Sequence, residues 1–441
     1  MKVILVFAVM LVSIAKQSFA QGINWQAKDL EKDGVFGVSA NKAYSDLLKN
    51  KKAKTVIVGI LDAGLDTLHE DLKAVLWSDP KTGHHGWNYI GNETGREDLV
   101  NLTIQKDSAF YDSLSLGTVP QEYRKGYQAY RQSKKLKLEL NEKINNLKDQ
   151  VSVLEKENNP ENAKLISLVN YHLAHGLNAA NNEADTASGN ADVYPDKILP
   201  WPSTDPGHGT HVAGIIGAVR GNGIGLNGIA DHVQIMMVKT NGNLREIRDK
   251  AIANGIRYAV DHGAKVINMS FGKPYTWDKT AVDDAIKYAM SKDVLFIHAA
   301  GNTSSNLDNS VVYPTATYDD GKDKADAFIV VGASGPKDDQ TLAVDFSNYG
   351  QKTVDVFAPG VDIYSTYPGN EYKTFSGTSM AAPIVAGIAA LIREYYPKLT
   401  AVQVKDIIMK SVVKRDVLKD KCVSGGVVNA YNALKLAATY K

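Results

Sequence analysis

Val56-Ile57-Val58-Gly59-Ile60-Leu61-Asp62-Ala63-Gly64 is an almost unbroken apolar run that ends on a carboxylate and a small-residue turn. A strand with one face in water alternates apolar and polar residues. A run without alternation reads as a strand buried on both faces, as in a parallel sheet covered by helices. Working outward, similar runs stand at Val233–Val238, Lys265–Met269, Val294–Ile297, Phe328–Val331 and Thr353–Phe357. Helical spacing fills the intervals at Leu244–Val260, Lys279–Met290 and the long apolar Met380–Tyr395. Thr400-Ala401-Val402-Gln403 has capping-box spacing and opens an amphipathic helix through Val413. The pattern predicts an α/β fold, an open, doubly wound, mostly parallel sheet with helices on both faces. Ligands of such sheets sit beyond the carboxyl ends of the strands. Asp62 and the segment Asn268-Met269-Ser270-Phe271-Gly272 both fall there.

The rhythm breaks from about Ser78 to Pro200, where strand signals cease and Gln121–Asn158 is rich in Lys, Glu, Leu and Asn. Leu140, Ile144, Leu147, Val151 and Leu154 follow a 4-3-4-3 spacing, the seam of a short coiled coil or helical hairpin. Asn159-Pro160 ends that helix, Ala163–Leu177 supplies a returning one, and Asn181–Asn190 loosens into a polar loop. Residues 79–200 are therefore expected to form a mainly helical insertion within a domain made of 55–78 and 201–441. A substrate-gating lid, a partner-contact arm and a passive elaboration all remain open.

Lys2, the apolar stretch Val3–Ala15 broken by Ser13, and Ser18-Phe19-Ala20 make an export signal cleaved after residue 20. The stretch falls short of the roughly 20 apolar residues that span a bilayer. The expected location is periplasmic or extracellular, without a membrane span. With 50 basic against 49 acidic residues and a formal charge of +1, no global electrostatic case exists for nucleic acid or an anionic membrane as partner. The single cysteine, Cys422, excludes an intramolecular disulfide and reads as a partly buried free thiol rather than a catalytic one. Residues 21–54 are too few for an independent prodomain and are expected to pack on the body as an N-terminal extension.

Two further stretches carry reactive side chains among glycines at the start of apolar, helix-like runs: Gly207-His208-Gly209-Thr210-His211-Val212-Ala213-Gly214 and Gly377-Thr378-Ser379-Met380-Ala381-Ala382-Pro383. A serine hydroxyl is a poor nucleophile until an imidazole accepts its proton, and that imidazole needs a carboxylate to hold its tautomer. Asp62, His208 and Ser379 supply the three groups. Pro383 is expected in the first turn of its helix, whose amino end favours developing negative charge.

The order Asp, His, Ser is that of subtilisin itself. Together with Val-Ile-Asn-Met-Ser-Phe-Gly, Ala-Ala-Gly-Asn and Phe346-Ser347-Asn348-Tyr349-Gly350 followed by Ala358-Pro359-Gly360, these stretches resemble the subtilisin family of serine proteases over Lys54–Trp77 and from Pro206 onward. The resemblance implies an exported serine endopeptidase acting on protein or peptide substrates through an acyl-enzyme, with no cofactor needed for the chemistry. It implies catalytic roles for Asp62, His208 and Ser379, and an oxyanion hole made by the Asn302 side chain and the Ser379 N–H. Ser270, Phe271 and Gly272 would pair with an extended substrate backbone, with Ala299, Ala300 and Gly301 forming the opposite wall of the main pocket. Asp71 and Asn222 match family ligands of a structural calcium ion, although Asn222-Gly223-Ile224-Gly225-Leu226 is one residue longer than the common loop.

Blander readings apply to neighbouring histidines. His208 and His211 lack the intervening glutamate of a zinc-protease helix, and His69 and His298 read as structural. The absence of Gly-x-Ser-x-Gly around Ser379 disfavours an α/β-hydrolase esterase. Two alternatives stand beside a general protease: a catalytically silent secreted binding protein using the insertion as its contact arm, and a protease narrowed to one peptide precursor.

Overall fold

Among the described residues, nine strands form one sheet in the order β10-β11-β7-β6-β5-β4-β1-β3-β2. They are β1 (Val56–Asp62), β2 (Gly86–Asn88), β3 (Val233–Lys239), β4 (Val266–Met269), β5 (Leu295–Ala299), β6 (Phe328–Ser334), β7 (Val356–Pro359), β10 (Val413–Lys414) and β11 (Gly426–Val427). Every pairing is parallel except β10 with β11. A separate antiparallel hairpin joins β8 (Ile363–Tyr367) to β9 (Glu371–Phe375). The computed structural model describes residues 22–89, 148–149, 151–156 and 206–440, apart from 242–246, 248, 275, 277 and 320. The export signal, the returning helix and most of the insertion lie outside the described residues.

The unbroken apolar strands are buried on both faces. Ile60 and Ile235 face one core with α1 (Gly207–Gly217), α4 (Thr378–Tyr395), α5 (Ala401–Lys410) and α6 (Ala430–Ala437). Leu61 and Met236 face another with α2 (Asp249–Asp261) and α3 (Lys279–Ser291). Each fully buried side chain of this kind contributes about 1.5–3 kcal/mol by leaving water. In α4 every residue except Ser379 and Tyr395 is buried. A helix apolar nearly all round belongs in an interior, and Ser379 is its half-buried exception at the amino end.

The order around β1 sets the site. From β1 the chain builds outward to β3 on one side and to β4, β5, β6 and β7 on the other. The carboxyl ends beside β1 are therefore the switch point where such sheets open a crevice. Asp62 pairs with Lys239 and Leu61 with Met269, so the ends of β1, β3 and β4 are level.

Several sequence boundaries move. β2 pairs with β3 inside the stretch assigned to the insertion, so the sheet continues past residue 79. Three residues, Gly86-Trp87-Asn88, are too few to show a period. The helix begun by the Thr400–Gln403 capping box forms as expected but ends at Lys410, and Val413 belongs to β10. Pro383 is the sixth residue of α4, not part of its first turn. The N-terminal extension packs on the body: Trp25, Phe36 and Val38 are buried, and Trp25 Nε1 donates to Val361 O at 3.1 Å. Val151, in the one described piece of the expected seam, is also buried.

Candidate active site

Asp62 closes β1 and is buried, its Oδ1 accepting the Ala63 N–H at 2.6 Å. His208 stands in the first turn of α1, half-exposed, with Nδ1 2.9 Å from Asp62 Oδ1 and 3.0 Å from Oδ2. A carboxylate accepts, so Nδ1 carries the proton and Nε2 is left as the basic nitrogen. The approach is fixed by the loop after β1. Asp66 N donates to Thr210 Oγ1 at 2.9 Å, and a Cβ on Gly209 would collide with the Gly64 carbonyl. Only glycine allows that contact.

Ser379 lies at the other wall, in the first turn of α4. Its hydroxyl donates to Ser270 O at 2.8 Å, and Ser270 Oγ donates to Ser379 O at 2.8 Å. Asn302 follows the turn after β5. Its Oδ1 accepts both the Thr378 N–H and the Thr378 hydroxyl at 2.9 Å, which leaves the NH2 end as the free donor. The Ser379 N–H, in the first turn, has no intrahelical partner. Both nitrogens lie near Gly377: a Cβ placed there would stand 3.4 Å from Asn302 Nδ2 and 3.7 Å from Ser379 N.

A cavity of about 550 Å3 opens next to them, walled by Phe271 and Gly272 on one side and Ala299 and Gly301 on the other, with Ser379 and Asn302 at its mouth. Val312 lies across it, so close that a Cβ on Gly272 would strike its Cγ1. Lys273 also lines the cavity, but its ammonium is buried 2.6 Å from Asp249 Oδ1 and donates to Ile247 O. The cavity wall is thereby electrically quiet. Ala300 sits beneath, its N–H on Val331 O and its carbonyl taken by Asn348 Nδ2.

Asn348 and Thr378 were not legible as site residues. Asn348 Oδ1 accepts from Thr303 N, Thr303 Oγ1 and Ser305 N, clamping the loop that carries Asn302. The sequence placed Asn348 in a family-like stretch without a role, since its partners come from another loop.

Three further histidines near the matched segments, His211, His298 and His69, are held by the fold. His211 Nε2 donates to Lys373 O at 3.0 Å, its ring stacks on Phe375, and burial drives its pKa down to about 3. His298 is buried under Phe271, with its pKa lowered by burial to about 4. His69 Nε2 donates to Glu371 O at 3.0 Å. Cys422 is buried, which raises its thiol pKa.

Asp71 and Asn222 do come together, but as donor and acceptor. Asn222 Nδ2 donates to Asp71 Oδ1 at 2.7 Å, while the Leu226 N–H and the Tyr372 hydroxyl face Asp71 Oδ2 at 3.4 Å. Asn222 Oδ1 is taken by the Ile224 N–H at 3.1 Å. Calcium needs a shell of oxygens turned inward; here protein donors surround the carboxylate, an arrangement that does not fit the ion. Burial raises the Asp71 pKa, with these hydrogen bonds opposing it.

The subtilase family profile matches residues 53–431. The chain is 41% identical to subtilisin DY of Bacillus licheniformis over 201 residues, 45% of this chain and 68% of that one. It is 41% identical to thermitase of Thermoactinomyces vulgaris over 43% of this chain and 62% of that one. With subtilisin Savinase of Lederbergia lenta the identity is 37% over 53% and 77%. A solved structure described as proteases from Pseudoalteromonas arctica shares the fold with a TM-score of 0.54 at 21% identity, covering 92% of this chain and 96% of that one. Catalysis in this family requires no cofactor. The chain belongs to the subtilase family and is a serine endopeptidase of the subtilisin type.

Proposed function

We propose that Asp62, His208 and Ser379 form the catalytic triad of an exported endopeptidase that cleaves extended polypeptide segments through an acyl-enzyme. The observation that carries this reading is the Asp62–His208 contact at 2.9 Å, at the carboxyl ends of the sheet that also present Ser379 and Asn302. The Ser379 hydroxyl turns its proton from Ser270 O to His208 Nε2 and attacks the scissile carbonyl. The carbonyl oxygen, now negative, is met by Asn302 Nδ2 and the Ser379 N–H. The His208 imidazolium, steadied by Asp62, gives its proton to the leaving amine, and water repeats the sequence on the ester. Ser270–Gly272 receives the substrate backbone as an added strand. The paired Lys273 and the apolar Phe271 and Val312 favour an uncharged side chain in the main pocket.

Export rests on the sequence of residues 1–20; among the described residues no helix is long and apolar enough to cross a membrane. At Asp71 the reading is a hydrogen-bonded carboxylate that works without calcium.

The test is a fluorophosphonate probe on the mature protein beside Ser379→Ala, with cleavage of an unfolded generic protein followed in parallel. Labelling and cleavage both lost in the variant support a broad endopeptidase. Labelling without cleavage indicates a narrow processing enzyme, and no labelling of folded protein overturns the catalytic reading in favour of a binding scaffold.

A further inference from the structure

Glu394 is a buried carboxylate in an unfavourable place. It lies in the last turn of α4, at the negative end of the helix dipole, with no solvent exposure. Its Oε1 accepts the His232 N–H at 3.2 Å, while its buried Oε2 receives no donor and is relieved only by a proton shared with Asp231 or by a cation. A second carboxylate stands beside it: Asp231 Oδ1 is 3.0 Å from His232 Nδ1, and Oδ2 accepts the Tyr395 hydroxyl at 3.3 Å. One oxygen from each carboxylate and a ring nitrogen of His232 all lie within 4.8 Å of one another. The neighbouring fixed cation, Arg220, stacks on the Tyr44 ring and donates to Gly228 O and Asn41 Oδ1, not to either carboxylate. A buried acid, Glu394, therefore adjoins a partly exposed one, Asp231, and an exposed imidazole, with no cation bonded to either carboxylate among the described residues.

We propose that Asp231, His232 and Glu394 hold one divalent metal ion of the zinc class. One nitrogen and two carboxylate oxygens are an ordinary zinc ligand set, with water as the fourth ligand. Bonds of about 2.0–2.2 Å in a tetrahedron need ligand atoms about 3.4 Å apart. His232, whose side chain is 48% exposed, is the partner with room to move inward. The site lies at the amino-terminal edge of the sheet: Val56 N donates to His232 O and Lys54 N to Glu394 O. Ser379 and Glu394 occupy opposite ends of α4, about 22 Å apart at 1.5 Å per residue, so the ion is separate from the catalytic chemistry. It ties the start of β3 to the end of α4, a cross-link present only in the folded chain.

The experiment uses the full mature chain, inactivated with a fluorophosphonate to stop autolysis and stripped of metal by chelator and dialysis. Zinc chloride is titrated by calorimetry, and the thermal midpoint is read with and without zinc. The expected result is one ion per chain and a zinc-dependent rise in the midpoint, with affinity falling at least tenfold in His232→Ala and in Glu394→Gln. His232→Ala, on the exposed side, carries the test if Glu394→Gln does not fold. The proposal is overturned by no uptake in folded wild-type protein, by equal affinity in wild type and His232→Ala, or by uptake that survives His232→Ala and disappears in His208→Ala.

Discussion

Ser270 and Ser379 exchange two hydrogen bonds, each hydroxyl donating to the other residue's carbonyl oxygen at 2.8 Å. One of them answers a defect in α4. Pro383 has no N–H, so the carbonyl four residues earlier, that of Ser379, loses its helical partner. Ser270 Oγ replaces it while itself accepting from Asn268 Nδ2 at 2.9 Å. The proposed substrate strand and the proposed nucleophile are thereby tied by a bond that a regular helix would keep to itself. An orphaned buried carbonyl costs about 1–3 kcal/mol, so Ser270→Ala is expected to lower stability by about that much and, by releasing Ser379 from its fixed position, to lower kcat/KM as well. In that background Pro383→Ala restores an N–H to the helix and is expected to recover part of the loss. A double variant no better than Ser270→Ala alone would show that the Ser379 carbonyl is not the route.

Thr378 works through Asn302. Its N–H and hydroxyl together hold Asn302 Oδ1, and its Oγ1 also accepts the Gly301 N–H at 3.0 Å. Asn302→Ala should lower kcat by about 10²–10³ with little change in KM, a size measured on subtilisin itself. Thr378→Val keeps the shape and the N–H contact but removes the hydroxyl. Its expected effect is a smaller fall in kcat, about tenfold, that is nearly absent when Asn302 is already Ala. Steady-state kinetics on the four combinations checks this, and additive losses would separate the two residues.

The sheet was legible because strands buried on both faces cannot hide: Val58, Ile60, Val238, Ile267 and Phe296 are apolar without alternation and are buried. As site candidates, Asp62, His208, Ser379 and Asn302 were legible because glycines and helix starts mark them locally. The interlocks between them were not. Ser270 is matched to Ser379 across 109 residues, and Asn348 to Ala300 across 48, and no local pattern reports such pairings. β2 escaped notice because an edge strand of three residues carries no periodic signal. The β8–β9 hairpin was missed because β9, Glu371–Phe375, is largely exposed and polar. At Asp71 the sequence matched a ligand, but Tyr372, which faces that carboxylate, comes from this unread hairpin.

The buried histidines predict an acid limit on stability. His211 and His298 are held neutral in the fold, with pKa values of about 3 and about 4 against an ordinary 6.5. Between those values and 6.5 the unfolded chain binds protons that the folded chain does not. Unfolding free energy should therefore rise with pH across that window and fall on acidification, by up to about 1.4 kcal/mol per pH unit for each histidine. Urea unfolding of Ser379→Ala at a series of pH values measures the slope. Adding His298→Gln is expected to flatten it between pH 4 and 6.5, and an unchanged slope would remove His298 from the account.

Asp71 predicts indifference to calcium. Its carboxylate is surrounded by the Asn222 amide, the Leu226 N–H and the Tyr372 hydroxyl, so a cation entering there would displace donors already in place. In a His232→Ala background, which removes the proposed zinc site from the comparison, calcium addition or a calcium-selective chelator should leave the thermal midpoint unchanged. Tyr372→Phe should lower stability by about 1 kcal/mol through the lost hydrogen bond, again without calcium dependence. A midpoint that rises with calcium in the parent and no longer does so in Asp71→Asn would show that the donors give way and that the loop closes around the ion.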